Sequence, residues 1–149
     1  MRVAIVRAMN TNTTIDTTTT PQQNIELVRG YFDAIAKGDF ETVGKIFADD
    51  IVWHQPGSGS LSGTHRGKEA VYALLGRFME RSGGSFRIDS VGPLMAQSDR
   101  VATPLHFSAE KPGASMAMSG VDVLRIEDGR ICEVWLFSED QAAEDAFWG

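Results

Sequence analysis

The chain has a single cysteine, Cys132, so no internal disulfide can form, and no zinc-spaced companions accompany it. It reads as a small strand residue. Runs of lysine or arginine are also missing, and 14 basic against 20 acidic side chains leave a net charge of −6. That balance argues against a nucleic-acid partner or an anionic membrane surface. No apolar run approaches the ~20 residues of a membrane-crossing helix. Near the start, the apolar stretch Val3–Val6 is too short for the core of an export signal, so the expected location is cytoplasmic. Internal repeats are lacking too. What remains is an ordinary globular composition, 42 % apolar over 149 residues, enough for one domain with a real core and no staple.

Residues 1–19 are rich in Thr and Asn and have no hydrophobic period, which predicts a flexible extension before a single domain over 20–149. Thr20-Pro21-Gln22-Gln23 has the form of a capping box with proline at the first helical position. Ile25, Val28, Phe32 and Ile35 then recur at helical spacing, with Tyr31 at the edge of that stripe. Gly38 ends this helix, and Asp39 caps a second one carrying Phe40, Val43, Ile46 and Phe47. Ile51–Gln55 reads as a strand stopped by Pro56-Gly57, and the Gly/Ser-rich loop after it is long enough to form a lid or pocket rim. Lys68–Arg81 returns to helical spacing. Strands follow at Phe86–Gln97, kinked at Gly92-Pro93, at Arg100–Glu110, and on either side of an Asp128-Gly129 turn; a short helix over Asp140–Phe147 ends the chain. Three helices with one early strand among them, then an antiparallel meander, make an α+β fold.

The strand Ser115–Ile126 holds the main functional clue. Alternation puts Met116, Met118, Gly120, Asp122, Leu124 and Ile126 on one face. A carboxyl group on that apolar face must be paired, protonated or set in a functional cavity, because an isolated buried charge is too costly. The last strand is apolar on both faces, with Ile131, Trp135 and Phe137 opposed to Cys132, Val134 and Leu136. The helices can cover one face only. The other predicts a homodimer through the outer face of the sheet, centred on Trp135 and Phe137; a terminal segment laid over it is the plainer alternative.

The runs YFDAIAKGDFETVGKIFADDIVWHQPGSG, SLSGTHRGKEAV and GVDVLRIEDGRICEVW resemble the nuclear-transport-factor-2-like superfamily, and within it the SnoaL-like polyketide cyclases and ketosteroid isomerases. The resemblance spans about residues 22–140. It implies a curved, mixed or antiparallel sheet wrapped around three N-terminal helices, forming a cone with an internal pocket. It is specific for fold and weak for reaction, since such folds host many chemistries. The ketosteroid-isomerase pattern implies that Tyr31 and a protonated Asp122 donate hydrogen bonds to a substrate oxyanion. An Asp at the Asp122 position is the acid/base in SnoaL-like cyclases as well. The isomerase base position is occupied here by Gln55, which cannot take up a proton near neutrality.

A histidine is the natural substitute base. On periodicity, His106 faces outward with Ala102 and Pro104; the family register turns it towards the cavity, and a bulge at Pro104 would reconcile the two. His106 is therefore the expected base, with His54 in reserve. Trp53, His54 and Gln55, of which only one of the last two can face inward, and the adaptable Met116 and Met118 are expected to bind substrate. No metal-spaced cluster or phosphate loop is present in the sequence, so neither metal nor cofactor is expected. The expected function is acid–base chemistry of isomerase, cyclase or dehydratase type on a small, apolar, carbonyl- or hydroxyl-bearing substrate. The rivals are a non-catalytic ligand-binding or dimerisation module, and an epoxide hydrolase using Asp122 and Arg125.

Overall fold

A computed structural model describes residues 16–149; most of the expected N-terminal extension, residues 1–15, lies outside the described residues. Thr17 and Thr19 lie against the body, hydrogen-bonded to Asp128 and Asn24. Helix α1 spans Pro21–Lys37 and begins with the expected capping box: Gln23 N donates to Thr20 Oγ1 at 3.1 Å and Thr20 N to Gln23 Oε1 at 2.8 Å. It stops at Gly38 in the left-handed conformation, φ 69°, which glycine adopts without steric cost. Its buried residues are Val28, Tyr31, Phe32 and Ala34 with Asn24. Tyr31 is therefore inside the stripe, not at its edge.

Helix α2 (Phe40–Ile46), capped by Asp39, passes directly into strand β1 (Phe47–Gln55). The Gly/Ser loop then yields a short strand missed by the sequence reading, β2 (Gly63–Arg66), which pairs with β1. Helix α3 (Lys68–Arg81) buries Val71, Leu74 and Phe78. Beyond it, the single kinked strand expected over 86–97 is split into β3 (Arg87–Val91) and β4 (Met95–Gln97), both paired with β5 (Arg100–Lys111). Strands β6 (Ala114–Glu127) and β7 (Arg130–Ser138) form the expected hairpin, with Asp128 and Gly129 both at positive φ (53° and 73°), as a two-residue turn requires. Helix α4 (Gln141–Trp148) follows.

The sheet order is β2-β1-β7-β6-β5-β3, with β4 also on β5; β1 and β7 run parallel and the other pairs antiparallel. This is an α+β fold in which one curved sheet wraps a helical layer, and the apolar core lies between them. Two details of register decide what faces the core. Along β5 the ladder to β6 is unbroken from Arg100 to Lys111. Pro104 disturbs nothing, because it lies opposite the gap between β3 and β4, where Gly92 N donates to its carbonyl at 2.8 Å. Along β7 the pairing slips between Glu133 and Ile131, leaving Cys132 as an extra residue. That bulge puts Ile131 on the same buried side as Val134 and leaves Trp135 and Phe137 on the other.

Candidate functional site

Between the helices and the sheet is a cavity of about 70 Å³. Its polar lining is Tyr31 from α1, Gln55 from β1, Asp122 from β6, Ser138 at the end of β7 and Glu144 from α4. Trp53 shares the inward parity of Gln55 and lines it too, while aliphatic and aromatic side chains such as Leu75, Phe78 and Phe107 complete the wall.

Asp122 is 7 % exposed. It sits on the inner face of β6 opposite Thr103 of β5 and Leu136 of β7. Among the described residues no hydrogen bond reaches its carboxyl group, and burial, followed by the nearby Glu144 carboxylate, pushes it up to about 8. The acid is thus neutral at pH 7 and carries an O–H to donate. Tyr31 is equally buried, and burial, then Asp122, raise its phenol far above its ordinary range. It too stays a donor. Thr103, 0 % exposed, has the one buried side-chain oxygen without a partner among the described residues. Directly opposed residues have Cβ atoms only about 4.5–5.5 Å apart, so the Thr103 and Asp122 side chains are cross-strand neighbours on the inner face.

Glu144 is a buried carboxylate that the sequence reading missed. Its Oε1 accepts from Ser138 Oγ at 2.6 Å and Gln141 Nε2 at 3.1 Å; its Oε2 accepts from Trp148 Nε1 at 3.2 Å and Gln55 Nε2 at 3.4 Å. Four converging donors suit an anion, and Oε2 is the more loosely held oxygen. Gln55 links this group to Trp53, whose indole N–H donates to Gln55 Oε1 at 3.1 Å. A signal existed: Glu144 shares the buried stripe of α4 with Phe147 and Trp148, the same polar intruder on an apolar face that marked Asp122.

The Gly/Ser loop expected as a lid does not line the cavity. It holds α4 in place instead. Ser58 N donates to Asp145 Oδ2 at 2.9 Å and Ser60 N to the Gly149 carbonyl at 2.7 Å. Gly57, at φ +91°, has Asp145 Oδ1 only 2.0 Å from where a Cβ would stand, so only glycine fits there.

The expected base is not in the cavity. His106 lies on the outer face of β5, since no bulge at Pro104 reverses its parity, and its Nδ1 is 2.8 Å from Asp89 Oδ2. Periodicity was right and the family register wrong. His54 also points outward, with Nε2 2.7 Å from Glu133 Oε2 and its ring stacked on Trp135 at 5.5 Å; Gln55 takes the inward place. Met116 and Met118 do share the face of Asp122 and are buried, but they do not line the cavity. At ~3.3 Å per residue, Met118 is already about 13 Å along the strand. Arg125 pairs with Glu133 at 3.2 Å on the opposite side of the sheet from Asp122, so the epoxide-hydrolase arrangement is not assembled. No group of three metal-ligating side chains occurs among the described residues, and no described helix is long and apolar enough to cross a membrane.

Residues 28–134 match the SnoaL-like domain. The chain belongs to the SnoaL-like family. A Xanthomonas campestris protein of unknown function with a cystatin-like fold is similar at 49 % identity and a TM-score of 0.82, over 85 % of this SnoaL-like chain and 98 % of that one. The uncharacterized protein Rv0034 of Mycobacterium tuberculosis is 28 % identical over 129 residues, 87 % of this chain and 98 % of that protein. IdmH from Streptomyces antibioticus, a candidate polyketide cyclase, shares the fold at 24 % identity and a TM-score of 0.65, over 78 % of this chain and 92 % of that one. In SnoaL-like terms, the hairpin segment quoted for the resemblance supplies the cavity acid, and the helix quoted with it supplies the phenol.

Proposed function

We propose that this SnoaL-like protein is an acid–base enzyme of isomerase, cyclase or dehydratase type, acting on an apolar substrate with a carbonyl or hydroxyl group. The observation that carries this reading is a neutral Asp122, without a hydrogen-bond partner among the described residues, sharing one small cavity with Tyr31 and with the Glu144 carboxylate. Carboxyl groups whose surroundings set them apart in this way divide into acid and base. A substrate carbonyl oxygen would accept hydrogen bonds from Tyr31 and Asp122. Glu144 Oε2 would remove the proton from the adjacent carbon, the electron pair passing to the oxygen as an enolate held by the two donors. Return of the proton to another carbon isomerises the substrate; attack of the enolate carbon on a second carbonyl closes a ring. The fold shared with a candidate polyketide cyclase supports the same class of chemistry.

The test is deuterium exchange at the α-carbon of 2-tetralone in D2O, followed by proton NMR. Tyr31→Phe removes one oxyanion donor, and a loss of roughly 10²–10³-fold is expected. His106→Ala, outside the cavity, should exchange within about threefold of wild type. Binding without exchange would mark a ligand-binding module and overturn the enzyme reading.

We also propose that two copies pair through the outer face of the sheet. Trp135 there is covered by His54 and by the Arg100 guanidinium, 4.9 Å from its ring centre. Phe137 beside it is 58 % exposed. Helix α4 buries Trp148 against Phe78 and Phe86 on the cavity side, with Phe147 packed edge-on to Trp148, so it does not cover this face. Sedimentation equilibrium should give twice the chain mass, with Phe137→Asp reducing it to one; a monomeric wild type would sink the pairing.

A further inference from the structure

The chamber holding Tyr31 and Asp122 is too small to enclose a whole metabolite. Its 70 Å³ or so falls well below the roughly 300–1,000 Å³ of a typical small-molecule site. Beside it is a second concavity of about 790 Å³, bordered by α1, α2, α3 and β3. Ile35, Leu75, Phe78, Phe86 and Ile88 line both. These five side chains form a collar, with the acid on one side and the groove on the other.

The groove is greasy where a free surface is normally polar. Of the five large apolar side chains exposed among the described residues, Phe40, Met79 and Val91 all line it. Charges at its edge nearly cancel, with Arg29, Lys37 and Arg87 against Asp33 and Asp89. Arg87 is already tied to Asp89 at 3.0 Å, and Asp89 to His106. Recognition along such a groove depends on apolar area rather than on charge.

We infer that the groove is the second half of the binding site. The ligand is an elongated, uncharged, largely apolar molecule. Its carbonyl end enters the chamber, and its body passes the collar to lie against Phe40, Met79 and Val91. The position of the carbonyl rests on the acid–base reading above, whereas the length of the ligand rests only on two hollows lined by the same five side chains. Leu75 and Ile35, both half-buried, set the cross-section that can pass.

A series of methyl n-alkyl ketones from 2-butanone to 2-tridecanone tests this, with affinity measured by calorimetry and α-proton exchange in D2O followed on the same samples. Affinity should rise about fourfold per added methylene, the gain expected for burying each one, until the groove is filled. Met79→Glu and Val91→Glu change exposed side chains that the fold does not need, and each should flatten the long end of the series. Leu75→Trp should flatten it from the collar outward. A series that stops gaining within the first few carbons overturns the inference, as does a full gain that survives all three substitutions. Length-dependent affinity without exchange keeps the groove and removes the acid–base chemistry; exchange without length dependence does the opposite.

Discussion

Replacing Asp122 by asparagine will make the protein more stable and less active, and the gain in stability will grow with pH. In the folded chain burial, helped by Glu144, raises this carboxyl group to about 8, against 3.8 as its ordinary value. Between those values the folded state keeps one proton that the unfolded state has released. Stability therefore falls as pH rises through that window, by about 1.4 kcal/mol per pH unit. The loss is absent below about pH 4 and complete near pH 8, where it is on the order of 5 kcal/mol. Asparagine does not titrate and escapes it. Urea unfolding at pH 5, 6.5 and 8 should show the variant ahead by a margin that widens at each step; parallel pH profiles would mean that the carboxyl group is ionised in the folded protein. The same substitution separates two catalytic roles. If Asp122 only donates a hydrogen bond to an oxyanion, the asparagine amide retains much of the effect and Asp122→Leu loses roughly 10²–10³-fold. If it transfers the proton, both variants fall together.

Asp122 was legible because a strand has a period of two, and a polar residue out of phase stands out against Leu124 and Ile126. The turn at Asp128-Gly129 and the capping box at Thr20 were legible for similarly local reasons. His106 was misread because its orientation depends on whether Pro104 breaks the ladder. That is decided by the gap at Gly92-Pro93 between the neighbouring strands β3 and β4, in a separate stretch of the chain. The bulge at Cys132 is hidden in the same way, for an extra residue leaves no mark when both faces of a strand are apolar. Tyr31 was placed at the edge of its helix because the phase of a stripe is set by what it packs against. Glu144 was visible in principle but sat in a short terminal helix read only for its length. Its significance appears once the loop through Ser58 and Ser60 fixes that helix over the end of the cavity.

Glu144→Gln should be strongly impaired in catalysis and should also shift the titration of the residue it faces. As the base, its loss should cost about 10²–10⁴-fold in rate. As a neighbouring charge, it is the second cause of the raised Asp122 value, burial being the first. Without it the alkaline limb of the residual pH–rate profile should move to lower pH, yet stay well above the ordinary carboxylate range. Stability should follow the same logic. At pH 5, glutamine sets its amide hydrogens against donors from Ser138, Gln141, Gln55 and Trp148, at a cost of about 1–3 kcal/mol for each group left unpaired. Towards pH 8, part of this is offset because Asp122 can ionise more easily. The deficit of the variant should therefore shrink as pH rises. In an Asp122→Asn background nothing remains to be relieved, and the deficit should be the same at every pH between 5 and 8. A double-mutant cycle measured at the two ends of that range isolates the coupling. A pH-independent cycle would show that the two carboxyl groups do not sense one another, and would leave the division of acid and base without its physical cause.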